Sequence, residues 1–573
     1  MILIRLIISS ILILNILIEN PKDRTIFIPP LRIPLALSAN FGELRSDHFH
    51  SGLDIKTQGV TGKEVVATAS GYIYRISISP GGFGRALYLR HPSGYSTVYG
   101  HLDKFIPEVE EYIVNQQYKN KKYTITILPP KDKFSFNQGD LIAYSGNSGS
   151  SSGPHLHYEI RKSDSEIPVN PLLFDFGTGD DILPIIEKLV IYPVTVNTLI
   201  NDQNKMKRYN VNGGHGNYYI PSSDEIRIGG TAGFGIKSYD LLNDSYNKCA
   251  VYSIELKIDS LTLFKYVMDE FSFSESKYVN SHIDYETYIR ERTYYERTFM
   301  LPNDKLSVYQ DVVNRGIFNF EEDKTYHIEI SVTDIHNNKS TLAYKIKGVA
   351  AKSQGQSFTT EENVTIMPYN RSNRFNTKDV SVLFPDGALY DTLCFRYRKD
   401  SGPADMLSEV HYIHDRYTPV HKAYTLSIRP SGIPEGKESK MVIIQLSDDF
   451  KKSALGSTFS DGVVTAKPSS FGMFYVGLDT IAPVISANGL TPAIDLSRES
   501  KIRIKIIDDL SGINAYEPLI DGNWALFEYD QKNNALIYKF DPKRIAKGTK
   551  HHLTLKVSDN VDNTSFYSCD FVW

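Results

Sequence analysis

Residues Ser152–Arg161 read "SGPHLHYEIR". After Pro154 the positions alternate: His155, His157 and Glu159 fall on one side, and Leu156, Tyr158 and Ile160 on the other. That period of two is a β-strand's. It recurs in "ALYLRH", "YSTVYGHL", "IRIKII" and "HLTLKV", which are separated by clusters of Gly, Pro, Asn and Asp. Few segments keep a 3.6-residue period long enough for a helix, so a mainly β chain is expected. Neighbours on one strand face are about 7 Å apart at Cα. His155 and His157 therefore read in three ways: two ligands of one metal with strongly tilted rings, a ligand beside a catalyst, or two polar positions on an ordinary strand.

The chain has 573 residues, too many for one core, and its length suggests about three to five domains. It is 41% hydrophobic and 23% charged, the balance of a globular protein rather than a disordered one. A formal net charge of −4 gives no general pull toward nucleic acid or anionic membrane. The 37 tyrosines fit strand-rich domains better than helical bundles. Cys249, Cys394 and Cys569 are too far apart for a cysteine zinc site and allow at most one disulfide. At the start, Arg5 precedes an apolar run from Leu6 to Ile18, which suits a secretory signal and is short for a membrane span. No small-x-small cleavage pattern follows, so a retained N-terminal membrane anchor stays open.

An internal repeat organises the rest. "KTYHIEISVTDIHNN" from Lys324 aligns without a gap to "TKHHLTLKVSDNVDN" from Thr549. Upstream, "IKSYD" ending at Asp240 resembles "IKIID" ending at Asp508. The first copy is longer and carries an insertion around "YETYIRERTYYERT". Strand count and turn spacing suggest an immunoglobulin-like β-sandwich for each copy. The Asp/Asn cluster "SDNVDN" reads as turn chemistry rather than a calcium loop, because it lacks spaced ligands and a closing glutamate.

Six of the 15 histidines (His48, His50, His91, His101, His155 and His157) lie in about a fifth of the chain, mostly beside glycine-rich turns. In "HFHSGLDI", His50 and Asp54 offer N and O donors suited to zinc. A straight strand would separate them by about 13 Å, so the chain must bend, and Gly52 allows it. His48 competes with His50 as ligand but reads better as a surface residue beside Asp47. In "YSTVYGHLDKF", alternation sets His101 on a face with Thr97 and Tyr99, and Gly100 permits close approach. His91 reads as a hydrogen-bonded strand-end residue. "GSSSG" at Gly149–Gly153 matches a serine-hydrolase motif with Ser151 as nucleophile, but a strand follows it where that motif needs a helix. No H-E-x-x-H is present.

In order, "HSGLDI", "VVATASGYI", "GFGRALYLRH", "STVYGHL" and "GDLIAYSGNSGSSSGPHLHYEI" together resemble the M23 (LytM, lysostaphin-like) zinc metallopeptidases over roughly residues 40–161. The resemblance implies one zinc per chain, held by His50, Asp54 and His157, with a water in the fourth position. It implies His101 and His155 as catalytic histidines, without saying which does what. Glu159 is either a partner of a ligand or, as the period suggests, a solvent-facing carboxylate. The chain departs from the family in a charged insert at about 106–136, where "KYTITILPP" reads as an extra strand. The organisation expected is a signal peptide or anchor at 1–20 and an antiparallel-sheet M23 domain at 30–180. An immunoglobulin-like sandwich with its insertion follows at 185–350, a β-rich domain at 351–480, and a second immunoglobulin-like sandwich at 481–573.

The function implied is that of an exported endopeptidase, in the periplasm or cell envelope, cleaving peptide cross-links of bacterial peptidoglycan by attack of a zinc-bound water. Its partners would be wall peptides and an envelope protein at the C-terminal domains, with no nucleic acid. The alternatives are a non-catalytic activator of other wall hydrolases and an envelope-binding scaffold or adhesin. Retention of all five key positions speaks against the activator.

Overall fold

The computed structural model describes residues 27–573 except 222, 244, 352–363, 404–405 and 492. The apolar run at Leu6–Ile18 lies outside the described residues. Strands dominate throughout the described residues, as the alternating pattern predicts. Among the described residues no helix is long and apolar enough to cross a membrane. All three cysteines are free.

The strand His155–Lys162 lies near the centre of the N-terminal sheet. On one side it pairs antiparallel with Leu53–Lys56, and on the other with Tyr95–Gly100. The register sets Asp54, His157 and Gly100 in one cross-strand row. Beyond Tyr95–Gly100 the sheet continues through Arg85–Arg90 and Gly71–Ile78. Leu156, Tyr158 and Ile160 are fully buried with Tyr99, Leu87 and Leu89, so the apolar side of the alternation is the core. A three-stranded sheet of Glu64–Val66, Leu141–Ser145 and Leu102–Phe105 packs into the same core.

The insert at 106–136 contains the expected extra strand and a helix besides. It opens with the helix Pro107–Asn120, and a short strand, Ile125–Ile127, follows. Pro107 starts the helix, where its missing N–H costs nothing, and Glu108 and Glu110 sit in the first turn. Val109, Ile113 and Gln117, each four residues on, form its buried stripe.

Strands from Ile185 to Gly348 form one connected 14-stranded system around a large core, with the short helix Tyr285–Glu291 set in the tyrosine-rich insertion. Strands between Val364 and Leu478 make a six- and a five-stranded sheet, and those between Val484 and Val572 a four- and a five-stranded sheet.

Two of these later regions reach back to the N-terminal sheet. Phe41 and Phe49 leave their own domain's core and pack with Phe271 and Met268 of the second region. The Asn40 side chain donates to Ala250 O and accepts from Ala250 N, both at 2.8 Å, and Phe49 N donates to Ser276 Oγ. Each such bond contributes about 0.5–1.5 kcal/mol. Together they clamp the Asn40–His50 loop. From the other end of the chain, Lys543 and Arg544 meet Glu111 and Asn115 of the insert helix, and Trp524 meets Tyr118 edge-on.

Candidate metal and catalytic centre

His50 and Asp54 come together because the chain bends at Ser51–Gly52 before the strand begins at Leu53. Gly52 is required there by close approach: a Cβ would lie 2.3 Å from Tyr158 O. His50 Nε2 is 3.1 Å from Asp54 Oδ1 and 3.1 Å from His157 Nδ1, and His157 Nδ1 is 2.9 Å from Asp54 Oδ1. Three donor atoms thus form a nearly equilateral triangle. Ligands about 2.0–2.1 Å from a tetrahedral zinc stand roughly 3.3 Å apart.

Outer hydrogen bonds set the tautomers. His50 Nδ1–H donates to Asn40 O at 2.7 Å, which aims the Nε2 lone pair into the triangle. His157 Nε2–H donates to Glu159 Oε1 at 3.0 Å, which aims Nδ1 there. Two imidazole nitrogens and a carboxylate oxygen this close require one positive charge among them. A proton on His157 or a metal ion meets that need, and the donor set fits zinc.

The electrostatics agree. Burial pushes the Asp54 carboxyl up, but His50, His155 and His157 outweigh it and hold the group well below the ordinary carboxylate range. Burial depresses His50. His157 is pushed the other way, to about 9, because Asp54 and Glu159 outweigh its burial. Glu159, fully buried, is lowered to about 2: Arg161 and His157 overcome its burial, and Ser51 also donates to it. The solvent-facing alternative for Glu159 is therefore wrong. The strand face that carries it is covered, and it anchors His157.

His155 and His101 border the triangle. His155 Nδ1–H donates to Gly153 O at 2.9 Å, and its Nε2 stands 3.5 Å from Asp54 Oδ1. His101 Nδ1–H donates to Ser148 O at 2.8 Å, and its ring centre is 4.7 Å from that of His155. Burial, with His157 and His155 nearby, lowers His101 to about 3, so its Nε2 is a free lone pair at neutral pH. Simple alternation places His101 with Thr97 and Tyr99, and the structure corrects this. A left-handed φ of 58° at His101 ends the strand and turns the ring toward His155 and His157. Thr97 and Tyr99 stay in the buried hydrogen-bond network with His91 and Thr68. Gly100 serves the neighbouring strand's approach, since its Cβ would meet His157 and Phe83. Phe83 stacks on His157 at 4.7 Å.

The remaining candidates lie apart from the triangle. His48 is exposed and pairs with Asp47 at 2.7 Å. His91 is tied to Ser70 O and Thr97 Oγ1. Ser151 lies on a loop that leads into a strand, where its hydroxyl donates to Gly153 O. Sequence reasoning missed Asn40, Ser148 and Phe83, for which no local pattern exists. It also missed Lys532, which spans from the C-terminal region to donate to Asn147 O and Ser151 O on the loop beside His155.

The family model for Peptidase family M23 matches residues 48–118, and that for the Zu5-like domain matches 364–479. Over 123 residues the chain is 33% identical to an uncharacterised metalloprotease of Haemophilus influenzae, covering 22% of this chain and 20% of that one. Over 129 residues it is 32% identical to the DD-carboxypeptidase/endopeptidase Mpg of Neisseria meningitidis, covering 22% and 23%. The matches thus span about a fifth of these relatives' length. Among solved structures, the catalytic domain of a prophage-encoded M23 protein of Enterococcus faecalis aligns at 24% identity over 25% of this chain and 95% of its own (TM-score 0.19). A zinc-containing peptidase of Vibrio cholerae aligns at 25% identity over 26% and 38% (TM-score 0.18). The N-terminal domain of this chain, which carries the His50–Asp54–His157 triangle, is similar to peptidase family M23, whose model matches its residues 48–118.

Proposed function

We propose that the chain is an exported, zinc-dependent endopeptidase that hydrolyses peptide cross-links of bacterial peptidoglycan. One observation carries this reading: three donor atoms converge at 2.9–3.1 Å, and two further histidines face the same space. His50, Asp54 and His157 would hold the zinc. When bound, zinc supplies Lewis acidity, which polarises a peptide carbonyl and acidifies water. His101 and His155 each have Nδ1–H engaged by a carbonyl, which leaves Nε2 as a proton acceptor. A proton taken from water at one Nε2 can be returned to the departing amine, as general base then acid. The second ring, once protonated, can donate to the developing oxyanion. Asn40 and Glu159 keep the ligand rings oriented, and Phe83 walls one side.

The export reading rests on the apolar N-terminal run, and the wall-peptide substrate on likeness to M23 relatives. Digestion of purified peptidoglycan by metal-loaded protein, with released peptides identified by mass spectrometry, tests both substrate and bond. Cleaved cross-links support the proposal. A zinc-loaded protein that leaves every cross-linked muropeptide intact refutes it.

A further inference from the structure

A second cluster lies about where the chain leaves the peptidase domain. Ligand atoms of Asp180, Asp334 and His336 lie within 4.8 Å of one another. Asp180 belongs to the linker, and Asp334 and His336 to the turn after the strand Thr325–Thr333. Asp240, near the end of the strand Ile226–Leu241, is 2% exposed and faces the same charges.

What marks this cluster is its set of unused atoms. Asp180 Oδ1 accepts from Ile182 N and Asn243 N, while its buried Oδ2 has no hydrogen-bond partner. His336 Nε2–H donates to Thr178 O at 2.8 Å, leaving buried Nδ1 as an unpartnered lone pair. Asp240 Oδ1 is likewise buried and unpartnered. Three buried acceptors without a donor cost several kcal/mol unless a cation or proton sits among them.

The repeat supplies a contrast inside the same chain. Asp479, Asp508 and Asp559 gather in the second copy in the same way. There both Asp479 oxygens accept backbone N–H groups, from Ile481 and Ser511. Asp559 is satisfied by Val561, Asn563 and the Asn563 amide. The position of His336 is occupied by Val561. Asp334 is held as Asp559 is, by His336 N, Asn338 N and the Asn338 amide, so the copies differ in the unpartnered oxygens of Asp180 and Asp240 and in the imidazole of His336.

We propose that Asp180, Asp334 and His336, with buried Asp240 beside them, bind one divalent transition-metal ion, zinc or manganese, which pins the linker to the second region. The imidazole lone pair favours these ions over calcium, whose ligands are oxygens. Fixing of the other ring nitrogen by a backbone carbonyl is the arrangement of ligating histidines.

The test uses the full-length chain with Asp54→Ala, which silences the peptidase triangle. The metal-free protein is titrated with Zn2+, Mn2+ and Ca2+ by calorimetry. About one equivalent of Zn2+ or Mn2+ is expected. It should disappear when Asp180→Asn or His336→Gln is added, and persist when Asp479→Asn is added. Asn can keep the two bonds of Asp180 Oδ1, so melting in chelator should match the parent and report intact folding. With metal the parent's Tm should rise by roughly 5 °C and the variants' should not. No binding, binding equal in both variants, or binding of calcium alone would overturn the proposal.

Discussion

The two histidine-containing clusters differ in how they are assembled. His50, Asp54 and His157 stand on adjacent strands of one sheet, and register alone sets Asp54 opposite His157. Asp180, Asp334 and His336 come from a linker and a turn, and they meet only because one region folds against the other's exit. In the first, the outer partners Asn40 and Glu159 orient both rings. In the second, a single carbonyl orients one ring, and Asp180 retains an unpaired oxygen. The strand-built cluster is the more preorganised of the two. The two clusters share no residue, so they should be separable by mutation.

The largest expected effect is that of Asp54→Ala or His50→Ala. Either should abolish cross-link cleavage and remove about one zinc per chain by metal analysis, while the equivalent at the joint survives. If both equivalents vanish together, the clusters are not independent. Next, His101→Ala should lower kcat by about 10²–10⁴ with zinc content unchanged, since the ring touches no ligand atom of the triangle. Loss of zinc in that variant would make His101 a structural residue. Glu159→Gln should weaken zinc binding about 10–100-fold in chelator competition, by loosening the His157 ring.

A smaller effect, on stability rather than activity, concerns the joint. In metal-free protein Asp240 is held up to about 8, so the folded chain keeps a proton there that the unfolded chain, titrating near 3.9, has released. The stability this proton confers is present at low pH and is lost as pH rises from about 4 through 8. Asp240→Asn should therefore raise Tm by several degrees at pH 9 and far less at pH 5. An equal change at both pH values would contradict the assignment. The smallest effect is expected of Lys532→Ala. Loss of its bonds to the Asn147–Ser151 loop should cut kcat/KM about two- to five-fold, the equivalent of ~0.5–1 kcal/mol for one net hydrogen bond.

Much of the first cluster was legible because its information is local. The period of two put His155, His157 and Glu159 on one face, and the four-residue spacing of His50 and Asp54 demanded the bend that Gly52 provides. Glycine-rich motifs in fixed order then carried the likeness to M23 enzymes. Where local period misled, a backbone event intervened. His101 left its expected face through one left-handed residue, and Glu159 was buried by a layer that strand alternation cannot see. The insert helix was readable after the fact from Pro107, its acidic first turn and the stripe Val109–Ile113–Gln117.

Beyond the resemblance to M23 peptidases, which supplied the five residues at the centre, the sequence by itself determined the strand-rich class, the order of the motifs and the repeat with its paired aspartates. These follow from periods and spacings within a few residues, where covalent geometry limits what side chains can do. Tertiary structure alone decided that the second region clamps the His50 loop and that the C-terminal region rests on the insert helix and the loop beside His155. It also decided that Asp180 meets Asp334 and His336 but leaves an oxygen unpaired, whereas Asp479 does not. Those outcomes depend on contacts between residues tens to hundreds of positions apart, made when separate apolar surfaces are buried together, and no local period encodes them.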